Sequence, residues 1–410
     1  MKGREKILSN YRKPFNSRYS AITLNNNFTE SSFIPIPWRI WPYEGKILFF
    51  LLFIWSVFGL IMLGSASWWV ASKELGDWAY YINRQLIWYG PGLGLFLIIL
   101  QTKIRNLLKI SKFIFFVLLI LVTATVFFGS TVNGSSRWLI IGPLQMQPSE
   151  LIKPFAVLEA ANLFAYWELV SRDKKITSLI KFGTLIFFIM LQPNLSTAGL
   201  IGILFWVMAF CGGVKIRTLG LVAALGALSG YLSVLKNEYQ RIRITSFINP
   251  WDDPQGYGYQ LIQSLLAIGS GGVWGQGFGL STQKLQYLPI QSTDFIYAIF
   301  AEEFGLIGST FLISFLVMFA YVSLRIAIKC RNNYTKLVAT GSATILIFQS
   351  ILHIAVTTGS MPTTGLPFPL VSYGGNSLIS SLLIAGLLLR CSLESTGIIG
   401  LLETRKKKIR

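Results

Sequence analysis

Residues 251–303 read WDDPQGYGYQLIQSLLAIGSGGVWGQGFGLSTQKLQYLPIQSTDFIYAIFAEE. The stretch gathers Asp252, Asp253, Lys284 and Asp294 with glutamines such as Gln260, aromatic residues and a run of glycines, inside a chain otherwise made of apolar runs. Its polar groups and glycine-rich backbone cannot cross lipid unaided, because every N–H and C=O there needs a partner. The stretch therefore belongs at a water-exposed membrane face or along a protein cavity. Its first half is expected to be a long outer loop that dips onto the membrane surface, with Asp294 at the top of the next helix.

Working outward, composition sets the class. Of 410 residues, 53% are hydrophobic and 13% charged, and the mean hydropathy is +0.57. A soluble chain would carry about 25% charged residues. The fold class is thus an all-α polytopic membrane protein. The net charge of +19 does not point to nucleic acid, because the basic residues are spread between apolar spans instead of gathered on one face. Cys211, Cys330 and Cys391 offer no paired spacing. With His353 the lone histidine, a histidine-ligated metal centre or a His-based triad is not expected.

Apolar runs of the length needed to span about 30 Å of hydrocarbon recur near 47–65, 85–101, 113–129, 149–167, 177–193, 195–213, 217–236, 300–324, 336–358 and 376–394. That makes ten transmembrane helices, with a large outer loop at 237–299 between the seventh and eighth. Residues 1–46 form a polar, basic tail with no cleavable signal peptide, and 395–410 a second basic tail. Lys103, Arg105, Lys109, Lys112, Arg172, Lys174, Lys175, Lys215, Arg217, Arg325, Lys329, Arg331 and Lys336 cluster in alternate short loops, which marks those loops and both termini as cytoplasmic. The segments richest in glycine, proline and aromatic residues, 132–150, 237–299 and 359–375, then all face outward. A channel or symporter would more often place its polar groups at mid-membrane on broken helices.

Several residues are candidates for chemistry. Arg137 and Trp138 lie in the first outer loop, and Glu150 and Lys153 follow at i, i+3, where their charges offset each other at the bilayer rim. Either cation can hold a phosphate-bearing headgroup, or the group is a structural ion pair with an interfacial tryptophan. Asp294 is either a helix cap or a general base at a cavity mouth, taking a proton from an attacking hydroxyl. Counted round the helix from Asp294, Glu302 is placed to share that cavity and Glu303 is not. Structural pairing with arginine or lysine on a neighbouring helix is expected for both glutamates. Asp252 and Asp253 in WDDP fit a tight turn better than a cation site. No GxxxxGK[ST] is present, so nucleotide binding is rejected. His353 is expected to be a packing residue.

The segments NGSSRWL…QPSELIK, QPNLSTAG, NPWDDPQGYGYQLIQSLLAIGSGGVWGQGFGLSTQKLQYLPIQSTDFIYAIFAEEFG and PTTGLPFPLVSYGGNSL, in that order, resemble the SEDS (shape, elongation, division and sporulation) family over nearly all ten helices. The wording NPWDDP, GLSTQKLQYLP and PTTGLP is closer to the division branch, FtsW, than to the elongation branch, RodA. The resemblance implies a glycosyltransferase that polymerises lipid II, the undecaprenyl-pyrophosphate-linked disaccharide-peptide, outside the membrane. It also implies a class B penicillin-binding protein transpeptidase and other division proteins as partners, in a bacterial plasma membrane or the inner envelope membrane of a walled plastid. The family's catalytic aspartate falls on Asp294, its RW pair on Arg137 and Trp138, and its SELxK ion pair on Glu150 and Lys153. Arg137, Lys153, Lys284 or a bound Mg²⁺ or Mn²⁺ would meet the pyrophosphate charge, with Trp138, Glu150 and Gln260 also on the substrate. Glu302 and Asp253 would support the site. Ser292 stands where the family has histidine, Asn194 and Ser196 replace the aspartate and glycine of QPDLGT, and His353 takes a common asparagine position. A lipid II flippase and a scaffold recruiting the transpeptidase are the competing functions.

Overall fold

A computed structural model describes residues 38–132, 135–142 and 144–395. The two tails of the sequence reading lie almost wholly outside these residues. A helix covers each of the ten expected apolar runs. These are α1 (Tyr43–Leu75), α2 (Tyr80–Gln101), α3 (Ile104–Phe128), the pair α4 (Pro148–Leu151) and α5 (Lys153–Phe164), α6 (Arg172–Leu191), α7 (Leu195–Cys211), α8 (Ile216–Lys236), α11 (Ile296–Lys329), α12 (Asn333–Thr357) and α13 (Gly375–Ser395). Six of them, α1, α3, α8, α11, α12 and α13, are long and apolar enough to cross a membrane. The 33 residues of α1 span roughly 50 Å at the helical rise, so this helix is much longer than the 47–65 run that revealed it.

The described chain is not all helix. Three short antiparallel strands, β1 (Ser130–Val132), β2 (Ser135–Ile141) and β3 (Leu144–Met146), form a sheet in that order, with Trp138 opposite Ser130 and Leu139 opposite Met146. The sequence carries Asn133-Gly134 between the first two strands, the strongest short-range hairpin signal. The expectation of an all-α fold is corrected here, and Arg137 and Trp138 ride on β2 instead of a loop. The 237–299 region is likewise more than a loop, since it contains α9 (Glu238–Ile248) and α10 (Tyr259–Gly271). Asn237 caps α9 by accepting the N–H of Gln240.

Helices α12 and α13 form the centre of the bundle. Buried residues run along almost the whole of α13, which packs on α2 and α12, while α12 also packs on α5, α7 and α11. Helix α8 is the opposite case: only Leu219 is buried, so its apolar surface faces outward, as a lipid-contacting helix does. Between α12 and α13 the chain runs without regular structure yet buries Leu366, Phe368, Leu370 and Val371. A side chain at Gly59 would bring its Cβ within 2.1 Å of the Leu370 carbonyl oxygen, so only glycine lets α1 press against this segment. Irregular backbone at such depth needs internal partners. Gln349 Nε2 donates to the Pro367 carbonyl (2.7 Å), and His353 Nδ1 lies 2.9 Å from the Leu366 carbonyl.

Candidate functional site

Asp294 lies in a turn two residues ahead of α11, with its N–H donating to the Ile290 carbonyl at 3.2 Å. The helix has no side-chain cap, so the carboxyl of Asp294 is not spent on capping. It opens instead on a cleft lined by Arg243, Gln260, Phe295, Val356 and residues 363–366, with about 260 Å³ of empty space including its open mouth. Arg137 reaches the same place from β2: a Cβ built on Gly365 would lie 3.4 Å from Arg137 Nη1 and 3.7 Å from Asp294 Oδ2. Burial pushes the Asp294 carboxyl above the ordinary carboxylate range, and the charges of Arg243 and Arg137, with a hydrogen bond from Thr293, pull it back.

The arginines are held by main-chain oxygens, not by acids. Arg137 Nη2 donates to the Pro193 carbonyl (2.7 Å), and its buried Nε has no hydrogen-bond partner. Arg243 Nη1 donates to the Thr363 carbonyl (3.0 Å), and its guanidinium stacks over Tyr239. Guanidinium groups bind phosphate oxygens in a fork, so the pair suits an anion in the cleft.

Other sequence-selected residues sit elsewhere. Glu150 and Lys153 meet as expected, at 2.7 Å, but both are buried, and Lys153 Nζ also donates to Gln349 Oε1 (2.9 Å). Lys284 pairs with Glu303 at 2.7 Å and reaches Ser65 Oγ at 3.1 Å, with both ions buried. None of these four lines the cleft. The angle drawn from Asp294 to Glu302 fails because Asp294 is not helical. Glu302 points away to the 281–284 turn, accepting from Ser281, from Thr282 N (3.0 Å) and from Thr282 Oγ1 (2.9 Å). Its partners are hydroxyls and amides, not the expected cation. Asp253 accepts the N–H groups of Gly256 (3.1 Å) and Tyr257 (2.9 Å), a turn contact. Trp138 is half-buried on β2, and Gln260 does line the cleft.

Arg243 was missed by the sequence reading. The signal was available: Arg241 and Arg243 are cations in a segment where charge placement predicts few. The family departures are absorbed locally. Asn194 accepts Thr197 N–H (3.3 Å) as the cap of α7, His353 stacks on Phe368, and Ser292 contributes its carbonyl to Tyr373 N–H (2.9 Å). Two guanidiniums flank the Asp294 carboxyl, and no group of three or more His, Cys, Asp or Glu side chains that could hold a metal ion occurs among the described residues.

Fold and site together define a helical membrane protein with a half-buried acid beside two arginines in a cleft. The chain belongs to the cell cycle protein family of FtsW, RodA and SpoVE, whose model matches residues 45–397. It is 43% identical over 356 residues to the "Probable peptidoglycan glycosyltransferase FtsW" of Synechocystis sp., covering 87% of this chain and 91% of that one. Among solved structures it resembles a chain of the work "Structural coordination of polymerization and crosslinking by a peptidoglycan synthase complex" (TM-score 0.71, 26% identity, 87% of this chain and 99% of that one). It also resembles the rod shape determining protein RodA of Thermus thermophilus (TM-score 0.63, 26% identity, 87% and 97%).

Proposed function

We propose that this chain is a peptidoglycan glycosyltransferase of the division branch, polymerising lipid II with Asp294 as general base. The observation that carries the reading is the uncapped Asp294 carboxyl opening on a cleft beside Arg137 and Arg243. The donor is the growing glycan, still joined through C1 of its terminal sugar to the lipid pyrophosphate. The 4-hydroxyl of the next lipid II's N-acetylglucosamine attacks that carbon, and the bond to pyrophosphate breaks. The anomer inverts from α to β, and the hydroxyl proton passes to Asp294. Negative charge grows on the departing pyrophosphate, and Arg137 and Arg243 are the cations aimed at it. Lys153 and Lys284, already neutralised by Glu150 and Glu303, hold the site's surroundings instead.

The topology that goes with this function has ten crossings, both termini in the cytoplasm or stroma, and the cleft on the external face of a bacterial plasma membrane or plastid inner envelope. The partner is a class B penicillin-binding protein, acting with other division proteins. The test is polymerisation from labelled lipid II by the purified chain, with and without a transpeptidase-dead partner, comparing the parent with Asp294→Ala. Polymer from the parent and none from the folded variant supports the assignment. Equal polymer removes Asp294 from the base role, and lipid II translocation in liposomes without polymer favours a flippase.

A further inference from the structure

We propose that Gln85, on α2, is a positioning residue for Asp294, a role that rests on Asp294 being the base. Gln85 is 1% exposed, while its neighbours Leu86 and Ile87 on the same helix are turned outward. Its amide is used in both directions. Oε1 accepts the N–H of Gly374 (3.2 Å), and Nε2 donates to the carbonyl of Ser372 (3.3 Å), so the two bonds clasp the backbone on either side of Tyr373. That clasped segment holds the turn carrying Asp294. Tyr373 N–H donates to the Ser292 carbonyl (2.9 Å), and Ser372 Oγ donates to the Thr293 carbonyl (2.6 Å) while accepting the N–H of Phe368 (2.8 Å). The two carbonyls directly preceding Asp294 are therefore hung from a segment that Gln85 fixes.

The clasp has a strict chemical requirement. Glutamate keeps an acceptor for Gly374 N–H but sets a second oxygen against the Ser372 carbonyl, leucine loses both bonds, and asparagine is one methylene short. Gln85 does not line the cleft, so it acts on where the carboxyl stands and not on what the cleft holds. The mark of such a role is lost turnover at unchanged substrate affinity, because a base displaced by a fraction of an ångström still sees a bound substrate.

The experiment measures initial polymerisation rates over a range of labelled lipid II concentrations, with a transpeptidase-dead partner present. It compares the parent, Gln85→Leu, Gln85→Glu, Ser372→Ala, the Gln85→Leu/Ser372→Ala double variant and Asp294→Asn. Gln85→Leu should lower kcat by roughly 10- to 100-fold, with KM within about twofold. The double variant should lose no more than the worse single one, since both residues act through the same link. A folded Gln85→Leu with parental kcat, a loss carried by KM, or losses that multiply in the double variant would overturn the proposal. If Gln85→Leu does not fold, Gln85→Glu and Ser372→Ala decide the same question. An active Asp294→Asn would defeat the base assignment itself, whereas a dead Asp294→Asn beside unaffected Gln85 variants defeats only the positioning role.

Discussion

Arg137 and Asp294 face each other across Gly365: a methyl group there would sit 3.4 Å from the guanidinium and 3.7 Å from the carboxyl. They come from segments more than a hundred residues apart, and no direct ion pair joins them among the described residues. The space between them is kept by the absence of a side chain.

Filling that space should stop the reaction without unfolding the bundle. Gly365→Val puts a branched side chain between the Asp294 carboxyl and the Arg137 guanidinium and forces it onto a φ of +24°, where side chains are strained. Polymerisation should fall at least ~100-fold, and lipid II binding should weaken with it. Parental rates from the folded variant would mean the reacting groups do not enter between these residues.

Removing the acid should affect chemistry far more than stability. Asp294→Ala should cost about 10²- to 10⁴-fold in turnover, the range of a lost general base. The carboxyl caps no helix, so thermal unfolding in detergent should show no loss of stability.

The pH response has a defined sign. A base works deprotonated, and burial raises the Asp294 pKa, so turnover should fall as pH drops through that raised value. Arg243→Gln removes the larger of the two opposing charges and should shift this limb to higher pH, as read from kcat over a pH series. For stability, an acid whose folded pKa is raised stabilises the fold fully below its unfolded pKa, and loses that contribution as pH rises through the folded one. Asp294→Asn should therefore melt above the parent near neutrality, with the gap closing as the pH is lowered.

The buried ion pairs should behave as structural units. Lys153→Ala leaves Glu150 uncompensated at 2% exposure and should destabilise by about 3–5 kcal/mol. Replacing both partners with apolar residues of similar size, Glu150→Leu with Lys153→Met, should recover most of that loss in a melt. The recovered protein then tests substrate contact directly: parental KM means the pair does not bind lipid II.

Much of the architecture was legible because membrane insertion is governed by local hydropathy. Each apolar run must satisfy its own backbone, so its length and its helical state follow from nearby residues. The Glu150–Lys153 contact was legible for the same reason, being three residues long. The sheet around Arg137 is hidden in a segment whose polarity reads as a loop, and only its Asn133-Gly134 pair signals a hairpin. Glu302 escapes a helical count because Asp294 lies outside the helix that begins at Ile296, so no helical angle relates the two.

Composition, span length and motif chemistry thus determined by themselves that this is a multi-helix membrane protein of its family, and singled out Asp294. Only the tertiary structure decided what stands beside that carboxyl. It brought in Arg243 and left out Lys153 and Lys284. It also tied the turn of Asp294 to Gln85 through Ser372, which lies 287 positions away along the chain. The difference is physical: hydropathy is a property of neighbouring residues, whereas a catalytic environment is set by which distant segments the packed bundle forces together, and a buried cation is silenced or left free by partners that no local pattern records.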